Sequence, residues 1–261
     1  MFALPAKPLV LGVLSLALAA SLGQKGAFVD KVLAQAEQML EQGATIVDIC
    51  SSESISLQEE LNLLIPSIEA IKKRMSVNIS VNTSIPEVMD AAVRVGAAMI
   101  NDPRALTKLG AIEMVAKLQI PVCLMHMHSD PVTKQVTGQL RDIVSDVYQY
   151  LEQRITASVA AGVEIKNIMI DPGFGFGKTL AQNLQLLRSL HVFKSLNCPL
   201  LIDVSHKSMI GQILDETVEN RVYGSIAAES FAIICGVNII RSHDVQATND
   251  AIKVMQAISE Q

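Results

Sequence analysis

The chain has 261 residues, half of them apolar, 18% charged and 3% aromatic, with a formal net charge of -5. This composition excludes a disordered tail and gives no basic footprint for a nucleic-acid backbone. Without a single Trp it offers no base-stacking platform either.

The first strand is expected at Val10–Leu14, within the apolar run Leu9 to Leu22. That run also resembles the apolar part of a secretory leader. However, its basic flank is thin, it is too short to span a bilayer, and it serves better as a strand. A helix with apolar residues three and four apart is expected over Phe28–Gln42, then a strand at Thr45–Ile49 and a helix over Leu57–Arg74. The alternation continues with strands at Val77–Asn82, Ala98–Asn101 and Val122–His126, separated by helices over Glu87–Val95 and Lys108–Leu118. A helix over Leu140–Ala161 leads to a strand at Asn167–Asp171. Helix Leu180–Leu190, strand Pro199–Val204, helix Asn220–Ile234, strand Val237–Arg241 and helix Ala247–Ile258 complete the pattern. Gly43, Gly96, Gly162 and Gly236 stop four of the helices just before a strand.

Eight strand units alternating with helices, and no linker between them, predict one (β/α)8 TIM barrel spanning residues 1–261 as a single α/β domain. An open doubly wound sheet would normally carry a Gly-rich loop after its first strand, and none stands there. The cysteines Cys50, Cys123, Cys198 and Cys235 form no CxxC pair or Cys/His cluster, so neither zinc nor a disulfide framework is expected. Cys123 and Cys235 lie in apolar runs and read as buried reduced thiols, which points to the cytoplasm.

In a TIM barrel the site lies at the C-terminal ends of the strands. Seven of the eight expected strands end on polar side chains: Asp48, Asn82, Asn101, His126, Asp171, His206 with Lys207, and Arg241 with His243. Asp171, Asn82 and Asn101 can donate and accept in one plane, as an aminopyrimidine-like ring requires. Lys207, Arg241 and His243 suit a phosphate or another anion. Each residue also has a plainer reading: Asp171 serves a structural salt bridge nearly as well, and His126, between two methionines, reads better as a core histidine. The run Asp171 to Lys178, DPGFGFGK, follows a strand and opens a helix like a phosphate-binding loop. It has three residues between Gly173 and Gly177 where that loop needs four, so tight-turn glycines beneath a pocket explain it better.

The segments GATIVDI, SVNTSIPEV, INDPRAL, PVCLMHM, IMIDPGFGFGK, HKSMIGQIL and IIRSHDV, in this order from about residue 40 onward, resemble the dihydropteroate synthase family. The resemblance implies a pterin-binding barrel that joins p-aminobenzoate to a hydroxymethyl-dihydropterin pyrophosphate, with magnesium assisting pyrophosphate departure. It further implies that Asn101 and Asp171 hold the pterin ring edge and that Lys207 reaches its carbonyl side. Arg241 and His243 would take the pyrophosphate, while Phe176 and Ser208 would flank the p-aminobenzoate path. A homodimer formed through outer helices is implied as well, with no membrane or nucleic-acid partner.

Four departures bear on activity. The family's N-V-T-P-D-S-F loop after strand one is replaced by Ser15 to Ser21, SLALAAS, which lacks the Asn that helps hold the metal. Its G-G-E-S-T-R-P-G loop is replaced by Cys50 to Leu57, CSSESISL, with Ser54 at the Thr position. V-D-T-S has become Val81 to Ser84 with Asn82 for Asp, leaving Asn82 and Lys207 as the catalytic candidates. S-R-K-S has become Ser205 to Ser208 with His206 for Arg. Asn82 keeps the shape of Asp but supplies no negative charge to a developing cation. The expectation is therefore a retained pterin pocket with weakened catalysis. The alternatives are a non-catalytic pterin-binding or regulatory paralogue and a methyl-folate-dependent methyltransferase domain.

Overall fold

The computed structural model describes residues 7–17, 25–51, 55–128 and 142–259. The elements run β1 (Leu9–Ser15), α1 (Lys25–Glu41), β2 (Ile46–Cys50), α2 (Leu57–Arg74), β3 (Asn78–Asn82), α3 (Pro86–Arg94) and β4 (Met99–Asp102). They continue α4 (Ala111–Leu118), β5 (Val122–Met125), α5 (Ile143–Ala160), β6 (Ile168–Asp171), α6 (Leu180–Arg188) and β7 (Leu201–Ile202). The last are α7 (Ser208–Leu214), α8 (Val222–Ile234), β8 (Ile239–Ser242) and α9 (Val245–Ser259).

Local chemistry sets the ends of these helices. Ser56 and Glu59 form a reciprocal capping box at the start of α2, and Lys72, Lys73 and Arg74 close it, opposing the helix dipole. Thr179 and Gln182 cap α6 in the same way. The expected start of α4 at Lys108 moves to Ala111, because Gly110 before it adopts a left-handed φ of 81°. The expected start of α5 moves to Ile143, where Asp142 caps the helix through the Val144 N–H.

All strand pairs are parallel, in the order β6-β5-β4-β3-β2-β1-β8-β7. A bridge between Ile170 and Leu200, with the Ile170 N–H donating to Pro199 O at 2.9 Å, brings β6 to β7 and closes the barrel. The TIM barrel is therefore the fold. The run from Leu9 is its first strand, paired with β2 on one side and β8 on the other. β7 is shorter than expected because Asn238 takes over its beginning: Leu200 N–H donates to Asn238 Oδ1 at 2.8 Å, and Asn238 N–H returns to Leu200 O.

Parallel strands in a barrel are buried on both sides, which explains their nearly continuous apolar runs. Outward-facing strand residues pack on the helices in one large core that includes Leu14, Val47, Ile79, Ile100, Leu124, Ile170 and Ile240. A separate cluster, Leu9, Leu11, Ile46, Met99, Cys123, Met169, Leu201 and Ile239, fills the barrel interior. All four cysteines are free, and Cys123 is buried as expected. Cys235 is only half-buried, because it caps α8 at the rim rather than lying within a strand. Among the described residues no helix is long and apolar enough to cross a membrane.

Candidate active site

Strand side chains alternate between the two faces of a sheet, so the residue two positions beyond each interior apolar side chain also faces the barrel axis. Ile46 is followed by Asp48, Met99 by Asn101, Met169 by Asp171, Leu201 by Asp203 and Ile239 by Arg241. The barrel is thus apolar at one level and polar at the next, toward the strand C-termini. Asp48, Asn101, Asp171 and Asp203 are all buried.

The charged members of this level are linked. Arg241 Nε lies 2.8 Å from Asp48 Oδ2, and its Nη1 lies 2.8 Å from Asp203 Oδ2. Lys207 Nζ reaches the same Asp203 oxygen at 3.0 Å and stands 4.8 Å from the centroid of the Phe176 ring, a cation–π distance. The three expected cations therefore do not form a bare cationic cluster. Two buried carboxylates neutralise Arg241 and Lys207, while the Oδ1 atoms of Asp48 and Asp203 have no hydrogen-bond partner among the described residues. Burial works against charge on Asp203, yet Lys207 and Arg241 outweigh it and hold its carboxyl below the usual range. Burial likewise opposes charge on Arg241, and Asp48 with Asp203 overcomes it. Asp203 escaped the sequence reading because PLLIDV scans as a buried strand. The signal that could have found it is the alternation Leu201, Asp203, Ser205.

Asp171 ends β6, and its Oδ1 accepts the Gly173 N–H at 2.7 Å. Burial pushes this carboxyl up to about 7; the Gly173 N–H lowers it, Asp203 raises it, and Lys207 and Lys178 lower it again. In the glycine run, Gly173, Gly175 and Gly177 all have positive φ, and a Cβ on Gly173 would lie 1.9 Å from His126 O. Lys178 turns inward, donating to Gly173 O at 2.6 Å and His126 O at 3.2 Å. A phosphate-loop lysine must point at its ligand, whereas this one pins the turn. Burial lowers it to about 7.

The remaining expected residues divide clearly. Asn82 is half-buried at the end of β3, in register with Asn101 of β4. Phe176 is half-buried and Ser208 is exposed at the first position of α7. His243 donates its backbone N–H to Ser205 Oγ at 3.1 Å. His126 is the expected buried histidine: it meets Tyr150 edge-on at 5.0 Å, and burial lowers it to about 3. Ser54 lies outside the described residues, as do parts of both substituted loops, at 18–24 and 52–54. Three of the expected residues are linked: Asp171 interacts electrostatically with Lys207, and Asp203 joins Lys207 to Arg241. Asn101 belongs to the same interior level, two strands from Asp171.

A family model described as pterin binding enzyme matches residues 20–243. The dihydropteroate synthase of Haemophilus influenzae is 42% identical, with 96% of this chain and 94% of that protein covered. The chain belongs to the dihydropteroate synthase family. The Escherichia coli member is 41% identical over 90% of this chain and 85% of its own length. The Xanthomonas albilineans dihydropteroate synthase, solved in complex with 7,8-dihydropteroate, is 40% identical and superposes with a TM-score of 0.90, with 98% and 95% of the two chains covered. The protein is accordingly a dihydropteroate synthase-type transferase. Among the described residues no three His, Cys, Asp or Glu side chains converge as a metal site. The free Oδ1 atoms of Asp48 and Asp203 are hard donors, but each carboxylate already holds the Arg241 guanidinium, whose charge opposes a second cation beside it. These residues do not fit the expected magnesium ion.

Proposed function

We propose that the chain condenses 6-hydroxymethyl-7,8-dihydropterin pyrophosphate with p-aminobenzoate in folate biosynthesis. The aminobenzoate nitrogen attacks the pterin methylene carbon, the carbon–oxygen bond to pyrophosphate breaks, and the nitrogen loses a proton. The observation that carries this reading is the buried Asp171 carboxyl, held near 7 on the same polar level as Lys207 and Arg241. One of its oxygens is committed to the Gly173 N–H, which leaves the other to accept from the donor edge of an aminopyrimidinone ring. Asn101 completes that edge and Lys207 donates to the ring carbonyl. Arg241 spends its Nε and Nη1 on carboxylates and keeps Nη2 for the pyrophosphate beside His243. Phe176 and Ser208 border the aminobenzoate path. Asn82 lies beside the reacting carbon without adding charge, so turnover is expected to be slow.

The test is purified protein with magnesium and both substrates, scored for dihydropteroate. Product above the uncatalysed rate supports the transferase reading. Pterin binding without product selects the non-catalytic paralogue, and no pterin binding overturns both. Asn82→Asp is expected to raise turnover. Four free cysteines support a cytoplasmic setting. The exposed Tyr223, Phe231 and Ile234 of α8, with Val254 and Ile258 of the adjacent α9, support a homodimer.

A further inference from the structure

Two loops carry the cations of the site. One joins β7 to α7 and holds Ser205, His206 and Lys207; the other joins β8 to α9 and holds His243 and Asp244. They are tied together by side chains. Ser205 Oγ accepts the His243 N–H, and His206 Nε2 lies 2.6 Å from Asp244 Oδ2, an ion-pair contact without hydrogen-bond alignment. His206 Nδ1 lies 2.7 Å from Val218 O. A carbonyl can only accept, so Nδ1 carries a proton. Nε2 is then the ring atom left to face Asp244.

The rest of the histidine is fixed as well. Its backbone holds a left-handed φ of 56°, its N–H donates to Ser225 Oγ at 2.9 Å, and its carbonyl accepts from Arg221 Nη1 at 2.9 Å. The His243 ring meets it edge-on at 5.6 Å, and Glu219, Arg221 and Lys207 are the other charged groups near it. The second loop is anchored from behind. Asp244 N–H donates to Ser242 Oγ, which is hydrogen-bonded to Thr248, and Thr248 donates to the buried Glu229 at 2.7 Å.

The geometry points to His206 and Asp244 as a positioning pair for the proposed condensation. They act through their neighbours, holding Lys207 of one loop and His243 of the other at a fixed separation across a pterin pyrophosphate. A ligand with a ring at one end and a diphosphate at the other needs both groups in place at once, and misplacement by about 1 Å can cost on the order of 100-fold in rate. The inference rests on the proposed reaction for its kinetic consequence but not for its structural one.

The test compares His206→Ala, Asp244→Ala and the double variant. Each single change is expected to raise KM for pterin pyrophosphate about tenfold, with KM for p-aminobenzoate unchanged. The double variant is expected to be no worse than the poorer single one, as for residues acting as a unit. His206→Arg, whose guanidinium donates in two directions, is expected to restore KM. Hydrogen exchange gives an independent reading: the His243 and Asp244 amides should exchange at least about tenfold faster in His206→Ala, while β1 and β2 amides keep their protection. Additive losses, equal losses for both substrates, or unchanged exchange at those amides overturn the inference. A wild type that forms no dihydropteroate defeats the proposed reaction, and amide exchange still decides whether the pair ties the loops. If the alanine variants fail to fold, His206→Arg and Asp244→Asn carry the comparison. Both keep a polar contact between the loops and should retain near-wild-type exchange; fast exchange in both counts against the pair.

Discussion

Asp171→Asn separates what this carboxyl does for binding from what it costs the fold. The side chain is buried and its carboxyl is raised from 3.8 to about 7, chiefly by burial. The folded state therefore holds the proton more tightly than the unfolded chain. Stability from this group is full below pH 3.8 and is lost as the pH rises to about 7. At roughly 1.4 kcal/mol for each tenfold change in acidity, ionised Asp171 costs at most about 4 kcal/mol above that range. Asparagine keeps an oxygen for the Gly173 N–H and removes the charge. Part of the gain is offset because Lys178, also buried, loses the carboxylate that favours its charged form. The expected outcome at pH 8 is a stabilisation of about 1–3 kcal/mol, or several degrees in melting temperature for a chain of this size. The gap should close toward pH 4. Pterin affinity should fall about 10- to 100-fold, since a hydrogen bond to a charged group contributes about 1.5–3 kcal/mol. Calorimetric melts across pH 4–8, with pterin titrations at pH 8, give both readings. A variant less stable than wild type at pH 8, or a stability difference that ignores pH, would refute the reasoning.

Other changes probe the framework. Asp203→Ala leaves Arg241 and Lys207 without their shared carboxylate and should cost about 3–5 kcal/mol in urea denaturation. Gly162→Ala meets nothing within 4 Å and should cost only the left-handed backbone penalty, about 1–2 kcal/mol. Gly173→Ala sets a Cβ against His126 O and should cost on the order of 4 kcal/mol or prevent folding, as thermal melts will read. Tyr223→Asp with Ile234→Asp places charge on the exposed apolar face of α8 and should yield a monomer in sedimentation experiments, with little change in melting temperature.

The strands were legible because buried parallel strands leave short apolar runs that end in polar residues. The helices were legible where a cap was chemical, as at Leu57, and misplaced where a left-handed glycine set the start, as at Ala111. The short α7 went unread as a helix: its sequence SMIGQIL has a glycine in the middle and no side-chain cap. For the site, residue identities could be read but their pairing could not. Arg241 was visible as a cation, yet its commitment to Asp48 and Asp203 depends on which strands lie beside β8, and strand order lies outside any local pattern. Asp203 was hidden for the same reason. In a scan for buried strands, a carboxylate inside an apolar run looks like an exception, whereas around a closed barrel it is the next inward position.

The cylinder is stitched most thinly where β6 meets β7, at a single bridge between Ile170 and Leu200. Those are the strands that lead to Asp171 and Asp203, two acids that repel each other. Opening along this seam would relieve that repulsion, so a molecule that accepts contacts from both sides would act as a clamp and make the barrel itself more rigid.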